Sequence, residues 1–139
     1  MKTGNVQWRV RDKRRLLTAI MDKLAGDAHI SFEGELRNLK LLLIPGASEQ
    51  ETTVLKRNTT WPKQDFVVLP LESSVGESIL LAIGKTVPRS VLHIQVEKAG
   101  VLEFGAYDRF HPECMYFGST LDSEFVGSLI SQGVLERLR

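Results

Sequence analysis

The chain has 139 residues, with 18 Lys/Arg against 17 Asp/Glu, a formal net charge of +1 and a single cysteine. This length is typical of one domain with its own apolar core, and a lone thiol excludes an internal disulfide framework. The near-neutral charge argues against a dedicated nucleic-acid binder, because most such domains are strongly basic.

The N-terminal residues and the longest apolar run predict where the protein resides. The first ten residues contain no apolar segment, and the tetrapeptide WRVR at residues 8–11 would interrupt one, so no signal peptide is predicted. Residues 39–44 are the most apolar stretch, but this stretch contains Lys40 and is too short to span a bilayer. We therefore expect a cytoplasmic protein without a membrane association.

A helix is the first clear element, at residues 13–25. Five apolar side chains fall on one face at helical spacing, namely Leu16, Leu17, Ile20, Met21 and Leu24. Asp12 is placed to cap its start, and Gly26 can adopt the left-handed conformation that ends it. A strand is predicted next at residues 29–33. Residues 39–44 fit either a strand or a buried helix, because a continuous apolar run has no period.

The middle of the chain is polar and then apolar. Residues 46–64 form a polar segment in which only residues 54–55 suggest a brief strand. Residues 65–71 predict a strand buried on both faces, and Pro70 favours a position near its end or at a sheet edge. Ser73 or Ser74 is expected to cap a helix at residues 75–83, which is apolar nearly all round and should be well buried.

The strongest β pattern lies in the C-terminal half. Residues 91–97 and 102–107 alternate around a glycine-containing turn, which predicts a hairpin with one dry and one wet face. A short strand at 114–117, a helix from about Leu121 and a possible strand at 134–138 follow. This order predicts an α+β fold: a single domain over residues 1–139, with two or three helices on a mostly antiparallel sheet of about five or six strands.

The densest polar cluster, residues 107–114, offers an enzyme or a metal site. Cys114 is a candidate nucleophile or ligand, His111 a candidate base or co-ligand, and Asp108 a further candidate. A structural zinc needs four ligands, and no second ligand pair is recognisable. The alternative is a turn shaped by Pro112 in which Cys114 packs as a small apolar residue. We therefore expect no resident metal and no cofactor.

Residue types that anchor protein interfaces occur in the polar segment. Trp61, Arg57 and Lys63 are candidates for binding a protein partner, together with Tyr107 and Arg109 after the hairpin. The alternative for Trp61 is that it folds back over the core. Residues 1–70 carry 12 Lys/Arg and 8 Asp/Glu, a net +4, and residues 71–139 carry 6 and 9, a net −3. Such a split can steer a partner or favour a homo-oligomer.

Basic residues near the N-terminus allow a nucleic-acid interpretation. Trp8 is followed by four candidate contacts with phosphate, Arg9, Arg11, Arg14 and Arg15. Cations in the first turn of a helix interact unfavourably with its dipole, so the presence of basic residues there suggests that they have a function. Solvated surface charges remain the alternative, and nucleic acid is not the expected partner.

The hypothesis that the sequence favours is a small non-enzymatic module that binds another protein. A regulator, an inhibitor or a toxin-neutralising partner would fit this description. The missing catalytic constellation, the charge split and the Trp61 segment motivate it. An enzyme that uses residues 107–114 is the alternative, and nucleic-acid binding through the N-terminal arginines comes third.

Overall fold

An antiparallel five-stranded sheet is the centre of the fold in the computed structural model, which describes residues 6–138. Along this part of the chain the elements are β1 (Trp8–Val10), α1 (Lys13–Leu24), β2 (Ala28–Gly34), a 3-10 turn (Leu41–Leu43), β3 (Asp65–Pro70), α2 (Val75–Ile83), β4 (Val91–Lys98), β5 (Val101–Ala106), β6 (Met115–Phe117), α3 (Ser123–Ser131) and β7 (Leu135–Arg137). The strand order is β3-β2-β4-β5-β6, and every neighbouring pair is antiparallel. The predicted α+β class is confirmed.

The first face of the sheet is apolar and carries the helices. Inward side chains of the strands, such as Ile30, Phe32 and Phe104, join the buried side of α1 in one core. The helix forms as predicted because its apolar residues share one face and the Asp12 carboxylate accepts the backbone N–H of Arg15. None of the described helices is long and apolar enough to cross a membrane.

The two apolar segments around β3 differ from the predictions. Residues 41–43 form a 3-10 turn, and only Leu41 in it is buried, so neither a strand nor a buried helix is present there. In α2 only Ile79 and Ile83 are buried, and Leu81 is 77% exposed. The expectation of a helix buried all round is wrong because α2 lies on the outside of the core and packs through one side only.

Strands from the first and last parts of the described chain form a small second sheet. Strand β1 pairs antiparallel with β7, so Trp8 lies opposite Arg137 and Val10 opposite Leu135. The predicted final strand is confirmed at β7, whereas residues 8–10 were not expected to form a strand. Trp8 packs edge-on against Phe117, with ring centroids 5.5 Å apart, and this contact joins the small sheet to β6 of the large one.

Much of the second face of the five-stranded sheet, over β2, β3 and β4, is covered by the polar segment 46–64, which we call the covering loop. Leu55 is fully buried against Phe66 and Val68 of β3 in a small separate apolar cluster. Residues 54–55 are not a strand, in contrast to the prediction. The predicted wet face of the hairpin is also wrong, because Gln95 and Glu97 on this side are buried beneath neighbouring chain.

The covering loop also occupies one edge of the sheet. Strand β3 is an edge strand, as Pro70 predicted. Ser48 forms an isolated bridge with Val68, exchanging backbone hydrogen bonds of 2.9 and 2.7 Å. The covering loop therefore supplies hydrogen-bond partners to part of the β3 edge and also covers the second face of the sheet.

Candidate functional site

A cleft lies at the end of the sheet where β2 stops and β3 and β4 begin. A cavity of about 700 Å³ is lined by Gly34, Glu35, Arg37, Asn38, Pro62, Lys63, Gln64, Asp65 and Ser90. A second cavity of about 370 Å³ shares three of these residues and adds Arg89, Leu92 and Arg109. Because the two cavities share lining residues, they adjoin; we call them together the sheet-end cleft, which is large enough for a short stretch of another molecule.

A close backbone approach shapes the floor of this cleft. Gly34 has φ +150°, and a side chain at this position would collide with the carbonyl oxygen of Ser90. The pairing register between β2 and β4 shifts at Glu33 and Gly34, and Glu35 N–H then donates to Ser90 O at 2.9 Å. Only glycine lets the two chains come this near, so the cleft depends on Gly34.

Positive charge dominates the lining of the sheet-end cleft. Four cationic side chains line it, namely Arg37, Lys63, Arg89 and Arg109. The two acids are Glu35 and Asp65, and the Asp65 carboxylate already accepts the backbone N–H of Leu36 at 2.9 Å. The structure therefore brings two of the predicted binding residues, Lys63 and Arg109, to one cationic cleft from positions 46 residues apart in the sequence.

The covering loop presents Trp61 to solvent beside this cleft. Its side chain is 86% exposed, so it does not fold back over the core. Its chain neighbour Pro62 lines the cleft. Tryptophan is one of the residue types enriched among the side chains that dominate binding energy at protein interfaces.

Arg57, another predicted binding residue, holds the covering loop in place. Its guanidinium donates to the backbone carbonyl of Gln64 and lies over the ring of Phe66, 5.1 Å from the centroid. Glu51 accepts the backbone N–H of Arg57 at 2.7 Å. These contacts give Arg57 an internal role that sequence reasoning did not expect.

A row of polar side chains on the second face fastens the covering loop to the sheet. Glu33 of β2 is 1% exposed, and its carboxylate accepts the backbone N–H groups of Asn58 and Thr59 at 2.7 and 3.1 Å. Gln95 of β4 donates to the backbone carbonyl of Lys56 at 2.9 Å. Hydrogen bonds to a charged, buried acceptor are strong, so this part of the loop is firmly positioned.

His93 sits opposite Glu33 and contacts two separate loops. Its Nδ1 accepts the backbone N–H of Asp108 at 3.0 Å, which leaves the proton on Nε2, 2.7 Å from Thr59 Oγ1. Burial lowers the pKa of His93 from 6.5, and Arg109 acts in the same direction, whereas Glu33 and Asp108 oppose this shift. The neutral ring is therefore the form that fits the structure.

The turn that receives His93 is strained. Asp108, Arg109 and Phe110 have φ of 51°, 56° and 60° in succession. A left-handed backbone costs about 1–2 kcal/mol for each non-glycine residue. Contacts with the rest of the protein hold the turn: Arg109 N–H donates to Leu92 O, its Nε donates to Arg89 O, and Phe110 is buried. This turn places Arg109 in the wall of the sheet-end cleft.

Tyr107, predicted as a binding residue, belongs to the interior. Its side chain is 4% exposed, and its hydroxyl donates to Gln95 Oε1 at 3.1 Å. Burial raises the pKa of Tyr107 to about 12, with a contribution from Tyr116. The ring lies against the backbone of Gly105, where a Cβ atom would strike it. Tyr107 therefore completes the polar row and offers no free surface to a partner.

The cysteine and histidine of the predicted enzyme loop are placed differently. Cys114 is 4% exposed, whereas His111 is exposed and its Nδ1 accepts the backbone N–H of Glu113 at 3.1 Å. Among residues 6–138 no three His, Cys, Asp or Glu side chains gather closely enough to hold a metal ion. Asp108, the third candidate, contributes its backbone N–H to His93.

The N-terminal arginines engage the protein itself to different degrees. Arg9 and Arg11 both approach Glu136 of β7, at 3.3 and 3.4 Å. Arg14 Nε donates to Gly84 O at 2.8 Å, and Arg15 is exposed. Within the first turn of α1, the misfit with the helix dipole is offset in part by the bond of Arg14 to the C-terminal end of α2.

Arg37, Arg89 and Glu33 were missed by sequence reasoning. Arg37 follows a predicted strand and Arg89 precedes another, so the ends of adjacent antiparallel strands carried a usable signal. Glu33 gave no signal, because an alternating glutamate reads as a solvent-facing position. Comparison with protein-family models, curated proteins and solved structures finds no match to this chain.

Proposed function

We propose that this chain is a protein-binding module that takes an acidic segment of another protein in the sheet-end cleft, with Trp61 as the apolar anchor. The observation that carries the proposal is a tryptophan exposed to 86% beside a cleft lined by four cations. Tryptophan and arginine are the residue types that dominate binding energy at protein interfaces.

The charge of the cleft supports an acidic partner. Arg37, Lys63, Arg89 and Arg109 outnumber Glu35 and Asp65, and one of these acids is already engaged by a backbone N–H. Guanidinium groups bind carboxylates through paired hydrogen bonds. A segment rich in Asp or Glu with an apolar side chain for Trp61 is therefore the complement. An inhibitor, a regulator or a toxin-neutralising protein would use such a surface.

Selection of displayed random peptides on the immobilised protein tests the proposal. Enriched peptides should be acidic, and their affinity should fall as salt rises. Trp61→Ala should weaken the binding of a selected peptide at least about tenfold, and Arg89→Glu should do the same.

Two variants serve as matched controls for this selection. Leu81→Ala removes an apolar side chain that is similarly exposed but lies on α2, and Arg15→Glu reverses an exposed cation on α1. Both should leave the affinity unchanged. Peptides without acidic residues, or equal binding to all four variants, would exclude the cleft as the interface.

A further inference from the structure

We propose that His93 is an acid-sensitive latch: its protonation releases both walls of the sheet-end cleft, so that a partner is held at neutral pH and released in mild acid. The proposal concerns regulation of the same cleft, and its biological meaning rests on the proposed function. The latch itself is a property of the free protein and stands on contacts within it.

One imidazole joins the two walls of the cleft. Through Thr59 it holds the covering loop, which continues to Lys63 and Gln64 in the first wall. Through Asp108 N–H it holds the strained turn, whose next residue is Arg109 in the second wall. The two walls are far apart in sequence, and His93 contacts both.

Only the neutral tautomer satisfies both contacts. Nδ1 must be unprotonated to accept Asp108 N–H at 3.0 Å, and Nε2–H donates to Thr59 Oγ1. A second proton on Nδ1 would place two N–H donors against each other. The hydrogen bond is then lost and replaced by repulsion, so the turn has to move away from the ring.

The strained turn makes this displacement easy. Three consecutive residues have positive φ, and the contact with His93 is among those that keep them there. Once the contact is lost, relaxation of the backbone toward an ordinary conformation favours the open form. Arg109 follows Asp108 in this turn, so opening at Asp108 strains the hydrogen bonds of Arg109 to Leu92 O and Arg89 O and shifts Arg109 in the cleft wall.

The charged groups around His93 set the direction of the response. Glu33 faces it from β2, Asp108 and Arg109 face it from the turn, and the Tyr107 ring lies 5.9 Å away. Glu33 already accepts two backbone N–H groups of the covering loop. A cationic ring beside Glu33 competes with these donors for the carboxylate, so the covering loop is loosened as well.

Amide hydrogen exchange of the free protein, followed by NMR, tests the latch without any partner. Between about pH 7.5 and about pH 5, the protection factors of the Asp108 and Thr59 amides should fall at least about tenfold after correction for intrinsic exchange. The amides of Ile94 and Val96 in β4 should keep their protection, which separates local opening from global unfolding.

Variants identify the histidine responsible. His93→Gln keeps an acceptor and a donor but does not titrate in this range, so its protection factors should be independent of pH. His111→Gln and His29→Gln remove the other two histidines and should retain the full effect, because His111 bonds within its own turn and His29 pairs with Glu97.

A measurement on the unmodified chain covers the case in which His93→Gln fails to fold. The ring titration of His93, observed by NMR, should have the same midpoint as the loss of Asp108 protection. Unchanged protection across this pH range, or a midpoint that follows another histidine, would overturn the latch. If the pH-dependent loss of protection is observed but no peptide binds the cleft, the result counts against the proposed function and not against the latch.

Discussion

The two faces of the five-stranded sheet are both buried, but by different means. On the first face, side chains such as Phe32 and Phe104 pack with α1 in a continuous apolar core. On the second face the covering loop lies over Glu33, Gln95 and a small apolar cluster around Leu55. Burial on the first face therefore depends on apolar area, whereas burial on the second face depends on matched hydrogen bonds.

The energetic consequences differ accordingly. Apolar contacts tolerate small displacements, since dispersion and transfer energies have no strict direction. A buried carboxylate or amide needs its partners at the correct distance and angle. The second face therefore specifies the position of the covering loop, and with it the position of Trp61, more than it adds to the total stability.

Removal of a large side chain from the first face should have the largest effect on stability. Phe32 lies on β2, the strand between β3 and β4, and its side chain is fully buried. Phe32→Ala should lower the free energy of unfolding by about 3–5 kcal/mol, through lost transfer energy and the cavity left behind. Urea unfolding followed by far-UV circular dichroism measures this loss, and a decrease below about 1 kcal/mol would contradict the assigned core.

A change in the polar row should have a smaller but more local effect. Glu33→Gln replaces one acceptor oxygen by an amide NH2 group, a donor, which then faces a backbone N–H of Asn58 or Thr59. We expect a loss of about 1–3 kcal/mol, with faster exchange of these two amides. Glu49→Gln, an exposed change in the same loop, is the control. Equal effects of the two variants would show that the carboxylate of Glu33 does not fasten the loop.

The tyrosine in the polar row offers a milder version of the same experiment. Tyr107→Phe removes the hydroxyl that donates to Gln95 Oε1 and leaves the ring in place over Gly105. The expected loss is about 0.5–1.5 kcal/mol in urea unfolding. Because Tyr107 is buried, the affinity for a cleft-binding peptide should stay the same, whereas a clear loss of affinity would return Tyr107 to the binding surface.

The pH dependence of stability separates the two faces without deleting an interaction. Burial keeps the pKa of His93 in the folded protein below 6.5, so the unfolded chain takes up this proton first. The contribution of His93 to stability is therefore complete above about pH 6.5 and declines as the pH falls below it. Urea midpoints measured from pH 8 to pH 5 should show this decline, and His93→Gln should reduce it. A steeper loss of stability with falling pH in His93→Gln than in the unmodified protein would contradict a lowered pKa of His93.

Trp61 should have the smallest effect on stability. Its side chain is almost entirely in solvent, so Trp61→Ala should change the free energy of unfolding by no more than about 0.5 kcal/mol. The same substitution is expected to have a large effect on peptide affinity. A loss of stability above about 1 kcal/mol would mean that Trp61 packs against the protein in solution.

The first face was largely predictable from the sequence and the second was not. Helical spacing from Leu16 to Leu24 and alternation from Leu92 to Val96 depend on local periodicity, which local physics reproduces. The same alternation wrongly predicted that the Gln95 side chain is exposed to solvent. The alternation could not predict that the covering loop, about 40 residues earlier in the chain, lies over Gln95. The apolar Leu55, which is buried against β3, was the main indication in the sequence that this loop packs on the sheet.

The candidate site was recovered in part for the same reason. Lys63 and Arg109 were selected by residue type, but their meeting with Arg37 and Arg89 depends on strand order and on a glycine at the end of β2. Arg57 and Tyr107 are residue types that are common at interfaces, but here their side chains form hydrogen bonds within the protein. Residue type indicated where binding chemistry exists, and only the tertiary structure separates free groups from engaged ones.

The bridge between Ser48 and Val68 has a consequence for association of the protein with itself. An uncovered edge strand is a template on which further chains can add, and β3 carries the apolar sequence FVVL at residues 66–69. Ser48 occupies backbone groups at the middle of this edge, and Pro70 lacks an N–H at its end. Proteolytic cleavage or shortening of the covering loop would expose this template, and aggregation rather than simple loss of binding would follow.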